Sequence, residues 1–157
     1  MKATLLLIGK TDQAYLETGI GLYINRLKHY LPFEIKLVQA LKNTKSLSEC
    51  QQKQKEGELL LAQLQSTDTL VLLDENSKEF SSLGFAAFVE KQMIGGTKNL
   101  VFAVGGPYGF SPEMHQRAQA KISLSKMTFS HQMVRLIFVE QLYRAMTILK
   151  GEPYHHQ

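Results

Sequence analysis

The stretch Leu124-Ser125-Lys126-Met127-Thr128-Phe129-Ser130-His131-Gln132-Met133-Val134-Arg135 decides how this chain is read. A short apolar strand, predicted over Lys121 to Leu124, runs into it, and a long apolar helix, predicted from His131 to about Lys150, runs out of it. Such an elbow gathers backbone groups, hydroxyls, a lysine and a histidine at the carboxyl end of a strand, where open α/β sheets bind their ligands. Upstream, a strand predicted over Leu100 to Val104 ends in Gly105-Gly106-Pro107-Tyr108-Gly109-Phe110. The glycine pair there permits close backbone approach.

Working outward, strand and helix signals alternate from end to end. Lys2 to Ile8 is a continuous apolar run, and Asp12 to Leu31 carries Leu16, Ile20, Tyr23, Ile24, Leu27 and Leu31 at helical spacing. Phe33 to Val38 alternates as a second strand, and Gln39 to Ser48 is a polar loop. Ser48 is a suitable N-cap for a helix ending near Leu64. Thr69 to Leu73 is a third strand, followed by a helix capped by Ser81 or Ser82 and closed by Gly95-Gly96. Ser111-Pro112-Glu113 combines an N-cap serine, a proline at the first helical position and an acid in the first turn. Near-continuous apolar strands separated by helices predict an α/β fold with a mostly parallel sheet flanked by helices. No repeat or linker divides the chain, so 1–157 reads as one domain.

The last helix is apolar around most of its circumference, from Met133 and Val134 to Ile148 and Leu149, so it must be buried on more than one side. A partner subunit related by two-fold symmetry would supply the second surface. Central packing within its own chain is the alternative. Apolar residues make up 44% and charged residues 20%, which describes an ordinary globular chain. No apolar run is long enough to span a bilayer, and the first residues read as a buried strand rather than a signal peptide, so a cytoplasmic location is expected. A single cysteine, Cys50, excludes an internal disulfide and a cysteine-rich zinc site, and no histidine spacing indicates a metal.

Charge is unevenly placed. Met1 to Glu90 holds ten Lys/Arg against eleven Asp/Glu, a net of −1, whereas Lys91 to Gln157 holds eight against three, a net of +5. Local positive charge suits a phosphate-rich partner, although a solvated basic face is common in any protein. Three loops follow strands and can build a pocket: Leu73-Asp74-Glu75-Asn76, Gly105 to Phe110, and Ser125 to Ser130. None fits the dinucleotide or P-loop glycine pattern, and Ser125 lacks a nucleophile elbow.

Taken together, the run Leu124 to Phe129 with His131, the Val104-Gly105-Gly106-Pro107 loop, the Glu140-Gln141-Leu142-Tyr143-Arg144-Ala145 helix and the terminal Gly151-Glu152-Pro153-Tyr154-His155 resemble the RlmH (YbeA) family of the SPOUT superfamily. The resemblance covers essentially the whole chain. It implies a SPOUT-type α/β knot, with a trefoil knot in the C-terminal part, which departs from the usual unknotted topology. It also implies S-adenosylmethionine-dependent methylation of N3 of a pseudouridine in large-subunit (23S) ribosomal RNA, by a homodimer acting on the ribosome or its large subunit. On the same basis Leu73, Gly105, Leu124, Ser125, Lys126, Met127, Thr128 and Phe129 would bind the cofactor. The chain departs from the family pattern at Ser130, where relatives usually carry proline, and at His156, where they usually carry a basic residue.

N3 of a pseudouridine carries a proton that must leave, and histidine is the side chain matched to that task near neutral pH. His131 and His155 are therefore the candidate bases, Arg135 a candidate for an oxyanion or phosphate, and Tyr154 for stacking on or positioning the base. Each has a structural alternative: His131 as a helix-end residue, Arg135 or Arg144 paired with Glu140, and the Tyr154–His155 tail as a loose terminus. A catalytically silent RNA-binding or nucleotide-binding α/β protein is the rival class.

Overall fold

A computed structural model of the chain describes residues 1–156, and Gln157 lies outside them. Five strands, β1 (Lys2–Ile8), β2 (Phe33–Val38), β3 (Thr69–Leu73), β4 (Asn99–Val104) and β5 (Ala120–Ile122), form one sheet in the order β2-β1-β4-β3-β5. Every pairing is parallel. Buried on both faces, the strands need apolar side chains in both directions, which is why Leu5, Leu6 and Leu7 are all fully covered.

Five helices lie on the two faces. Helices α1 (Ala14–Leu27), α3 (Ser82–Ile94) and α5 (Met133–Leu149) pack on one side with Leu5, Leu7, Val71 and Phe102. Helices α2 (Glu49–Leu61) and α4 (Pro112–Arg117) pack on the other with Leu6, Leu70, Leu72 and Val101. The predicted caps form: the Ser48 side chain accepts from the Gln51 amide in a capping box, Ser81 caps α3, and Ser111 caps α4 with Pro112 behind it. Among the described residues no helix is long and apolar enough to cross a membrane.

Element boundaries differ from the sequence expectation where caps are weak. α1 is shorter than the predicted Asp12 to Leu31, because no side chain caps its start and the chain leaves the helix in turns after Leu27. α5 begins at Met133 rather than His131. Ser130 does cap, its hydroxyl accepting from the Met133 amide at 3.1 Å, but it closes a turn that precedes the helix. β5 ends at Ile122, and Ser123 only bridges to Glu79.

The last helix is covered in part by its own chain. α5 sits between α1 and α3, with Phe138 against Phe102 at 4.7 Å between ring centroids. Central packing buries Phe138, Val139, Leu142, Ala145 and Met146, while Met133, Val134, Leu136, Ile137, Tyr143, Ile148 and Leu149 stay half-buried. After β5 the chain runs beside the β3–α3 connection, with the Asp74 amide donating to the Ile122 carbonyl and the Ser123 amide to the Lys78 carbonyl. It then returns across the sheet as α5, which packs against α1 and α3.

Candidate functional site

The carboxyl ends of β3 and β4, with the segment after β5, wall a cavity of about 520 Å³. Leu73, Asp74, Glu75 and Asn76 form one side, Val104 to Phe110 a second, and Leu124, Ser125, Met127 to His131 and Val134 the third. All three loops selected from the sequence therefore meet at one place. The volume lies within the range of about 300–1,000 Å³ usual for small-molecule sites.

Each wall is fixed by local chemistry. Gly106 and Gly109 pair across a tight hairpin, the Gly109 amide donating to the Gly106 carbonyl at 3.1 Å, and Gly109 turns the chain with a φ of +80°. In the third loop the Met127 amide donates to the Ser125 hydroxyl at 2.9 Å, and the Ser123 hydroxyl donates to the Ser125 carbonyl at 2.8 Å. A Cβ on Gly105 would press on the Gly109 carbonyl at 3.1 Å, so a side chain there would push against the hairpin's own backbone.

Beneath the hairpin lies a residue the sequence reading missed. Glu56 of α2 is 4% exposed, and one of its carboxylate oxygens accepts from the Gln52 side chain at 3.0 Å. The other has no hydrogen-bond partner and sits against Gly106, where any Cβ would overlap it. Burial pushes its pKa above the ordinary value, opposed by the Gln52 hydrogen bond and by the nearby His131 side chain. A lone acid in Gln51-Gln52-Lys53-Gln54-Lys55-Glu56-Gly57 looks like part of a solvated helix face. The available signal was Gly57, a mid-helix glycine: a Cβ there would strike Ser111, so α2 and the start of α4 approach closely at this point.

The predicted site residues divide. Leu73, Gly105, Leu124, Ser125, Met127, Thr128, Phe129 and His131 line the cavity. Lys126 is exposed and outside it. Arg135 corrects the sequence reading. Its side chain is buried, with Nε donating to the His131 carbonyl at 3.0 Å, Nη1 to the Gly9 carbonyl at 3.0 Å and the Thr11 hydroxyl at 3.2 Å, and Nη2 to the Ile8 carbonyl at 2.8 Å. Four of its five N–H donors are spent on the His131 carbonyl and on pinning α5 to the end of β1, and the buried guanidinium is poorly placed to grip a phosphate or an oxyanion. Gln132 reinforces the same joint through Lys10 and Asp12.

Glu152, Tyr154 and His155 of the tail contact their own chain and are absent from the cavity lining. The Tyr154 hydroxyl donates to Glu140 at 3.0 Å and lies 3.3 Å from the Tyr23 hydroxyl, and its ring packs on Tyr143 and under Arg144. Burial, the Tyr23 contact and Glu140 all hold the phenol well above its ordinary pKa. Arg144 forms the expected i,i+4 ion pair with Glu140 at 2.6 Å and lies 3.4 Å from His155 Nδ1. One chain therefore does not bring Tyr154 and His155 to the cavity that His131 lines.

An all-parallel sheet with a cavity at its strand carboxyl ends defines a class, the α/β proteins that bind a small ligand there. A family model described as a predicted SPOUT methyltransferase matches residues 1–155. Among similar proteins are the ribosomal RNA large subunit methyltransferases H of Parabacteroides distasonis, 60% identical, of Christiangramia forsetii, 59%, and of Flavobacterium johnsoniae, 57%. Each match covers 157 residues and the whole of both chains. The chain belongs to the SPOUT methyltransferase family and, within it, to the ribosomal RNA large subunit methyltransferase H family that its motifs resemble. That family implies the knotted α/β fold for this chain.

Proposed function

We propose that this protein transfers the methyl group of S-adenosylmethionine to N3 of a pseudouridine in large-subunit ribosomal RNA, as a cytoplasmic homodimer acting on the ribosome or its large subunit. The observation that carries this reading is the cavity where the three strand-end loops meet, in a chain similar over its whole length to ribosomal RNA methyltransferases. The cavity suits that cofactor. Leu73, Val104, Leu124 and Val134 offer apolar wall, Ser125 and Thr128 offer hydroxyls, and Gly105 and Gly106 leave the hairpin backbone bare of side chains. Leu73, Gly105, Leu124, Ser125, Met127, Thr128 and Phe129 would hold it. When bound, it supplies an electrophilic methyl carbon on a sulfonium.

The protein's own task is to place N3 in line with that carbon and to accept its proton. Holding two reactants in a near-attack pose contributes on the order of 7–11 kcal/mol toward the barrier. His131, exposed and on the cavity wall, is the group we assign to the N3 proton. Tyr154 and His155 act, on this reading, at the cavity of the second subunit, because their own cavity is beyond their contacts.

Mass mapping of methylated nucleosides in ribosomal RNA, after incubation of large subunits and ribosomes with the protein and labelled cofactor, tests the proposal. A single N3-methylated pseudouridine in the large-subunit RNA is expected. Its absence, or absence of any heat in titration calorimetry at high micromolar S-adenosylmethionine, overturns the reading.

A further inference from the structure

The cavity has a rim that cofactor binding leaves unexplained. Tyr108 stands at the tip of the Gly106–Gly109 hairpin, lines the cavity and remains 43% exposed. Met127, on the opposite loop, also lines the cavity and is 77% exposed. Lys126 beside it is exposed and outside the cavity. The other large exposed apolar side chains, such as Leu22, Leu37 and Ile94, lie on helices or on the β2 edge and line no part of it. Two bulky side chains are thus held in water at the mouth, on loops fixed by the Gly109–Gly106 and Met127–Ser125 hydrogen bonds.

We infer that Tyr108 is a stacking platform for an unstacked nucleobase of the RNA, with Met127 on the facing lip and Lys126 toward the backbone phosphates. This inference rests on the ribosomal RNA methyltransferase reading. A base methylated at a ring nitrogen must leave its stack and present an edge to the methyl donor, which exposes an apolar face. Protein aromatics cover such faces, and stacking tolerates any base because each has a π-face. A thioether packs well against an aromatic ring, and a lysine ammonium serves as a point charge for phosphate. Tyr154, the aromatic favoured from sequence, cannot stack on a base at its own cavity. Its ring is already packed between Tyr143 and Arg144. Tyr108 is free to do so.

The test measures steady-state methylation of large subunits and ribosomes at saturating cofactor, with S-adenosylmethionine affinity taken in parallel by calorimetry. Tyr108→Ala should raise KM for the RNA substrate about ten-fold or more, the loss of one base–aromatic stack, while cofactor affinity stays at the wild-type value. Tyr108→Phe and Tyr108→Trp keep a ring and should restore KM to within about two-fold of wild type. An unchanged KM in Tyr108→Ala overturns the inference. So does a parallel fall in cofactor affinity, which would make Tyr108 cofactor wall, or a Phe variant as impaired as the Ala variant. Wild-type protein that methylates neither substrate would instead defeat the underlying function.

Discussion

At the scale of single residues, the contact between Glu56 and Gly106 carries most of the consequence. A methyl at position 106 would occupy the place of the buried carboxylate, so the hairpin wall must shift or the helix beneath it must yield. Gly106→Ala should therefore weaken S-adenosylmethionine binding about ten-fold or more, and adding Glu56→Ala should recover part of that loss by making room. Calorimetry on the two singles and the double decides it, and a double variant no better than Gly106→Ala refutes the contact's role. The same carboxyl gives a pH signature. Its folded-state pKa is raised above the ordinary 4.5, so the folded chain holds the proton more tightly than the unfolded chain. That contribution to stability is complete below the unfolded value and is lost as pH rises through the folded value. Glu56→Gln should thus gain melting temperature over wild type at about pH 8 and lose that gain toward about pH 4. Parallel melting curves for the two proteins across that range would contradict it.

At the scale of elements, the joint between β1 and α5 depends on Arg135. Removing its guanidinium strands the Ile8 and Gly9 carbonyls and opens a hole where one of the largest fully buried side chains stood. Arg135→Ala should cost on the order of 2–4 kcal/mol in urea unfolding, and Arg135→Lys should not restore it, because one ammonium cannot reach four acceptors. A loss of methylation without loss of stability would return Arg135 to a direct catalytic role. The caps at Ser48, Ser81 and Ser111 were legible because capping is local chemistry. The start of α5 was not. Ser130 does offer a cap there, but Gln132 and Arg135 tie the segment to the β1–α1 loop, and those tertiary bonds decide where the helix begins.

At the scale of the whole molecule, the separation of the tail from its own cavity makes a prediction about assembly. If the tail serves a second subunit, Gly105→Val and His155→Ala are each defective for different reasons, one at the cofactor site and one at the tail. Mixed and allowed to exchange subunits, the two inactive variants should regain part of the wild-type methylation, on the order of a quarter from statistical pairing. No recovery, in mixtures shown by native mass spectrometry to contain heterodimers, would place the tail's role within one chain. Sedimentation should report a dimer in the wild-type protein. The half-buried apolar side chains of α5, Met133, Ile137 and Ile148 among them, are surface that such a partner would cover.

The alternation of buried strands and capped helices, the three strand-end loops and the basic C-terminal half were set by the sequence alone. Apolar periodicity, capping and charge are properties of neighbouring residues, so they survive without a fold. Leu124 to Phe129 could be marked as a ligand loop for the same reason. What only the tertiary structure decided involves residues far apart in the chain. Arg135 is spent on β1, Glu56 lies under Gly106, and Tyr154 is held by Tyr23 and Glu140, away from the cavity. A charged or aromatic side chain has the same chemistry in any sequence. Whether it is consumed by burial or left free for a substrate depends on which distant groups the fold brings within hydrogen-bonding reach.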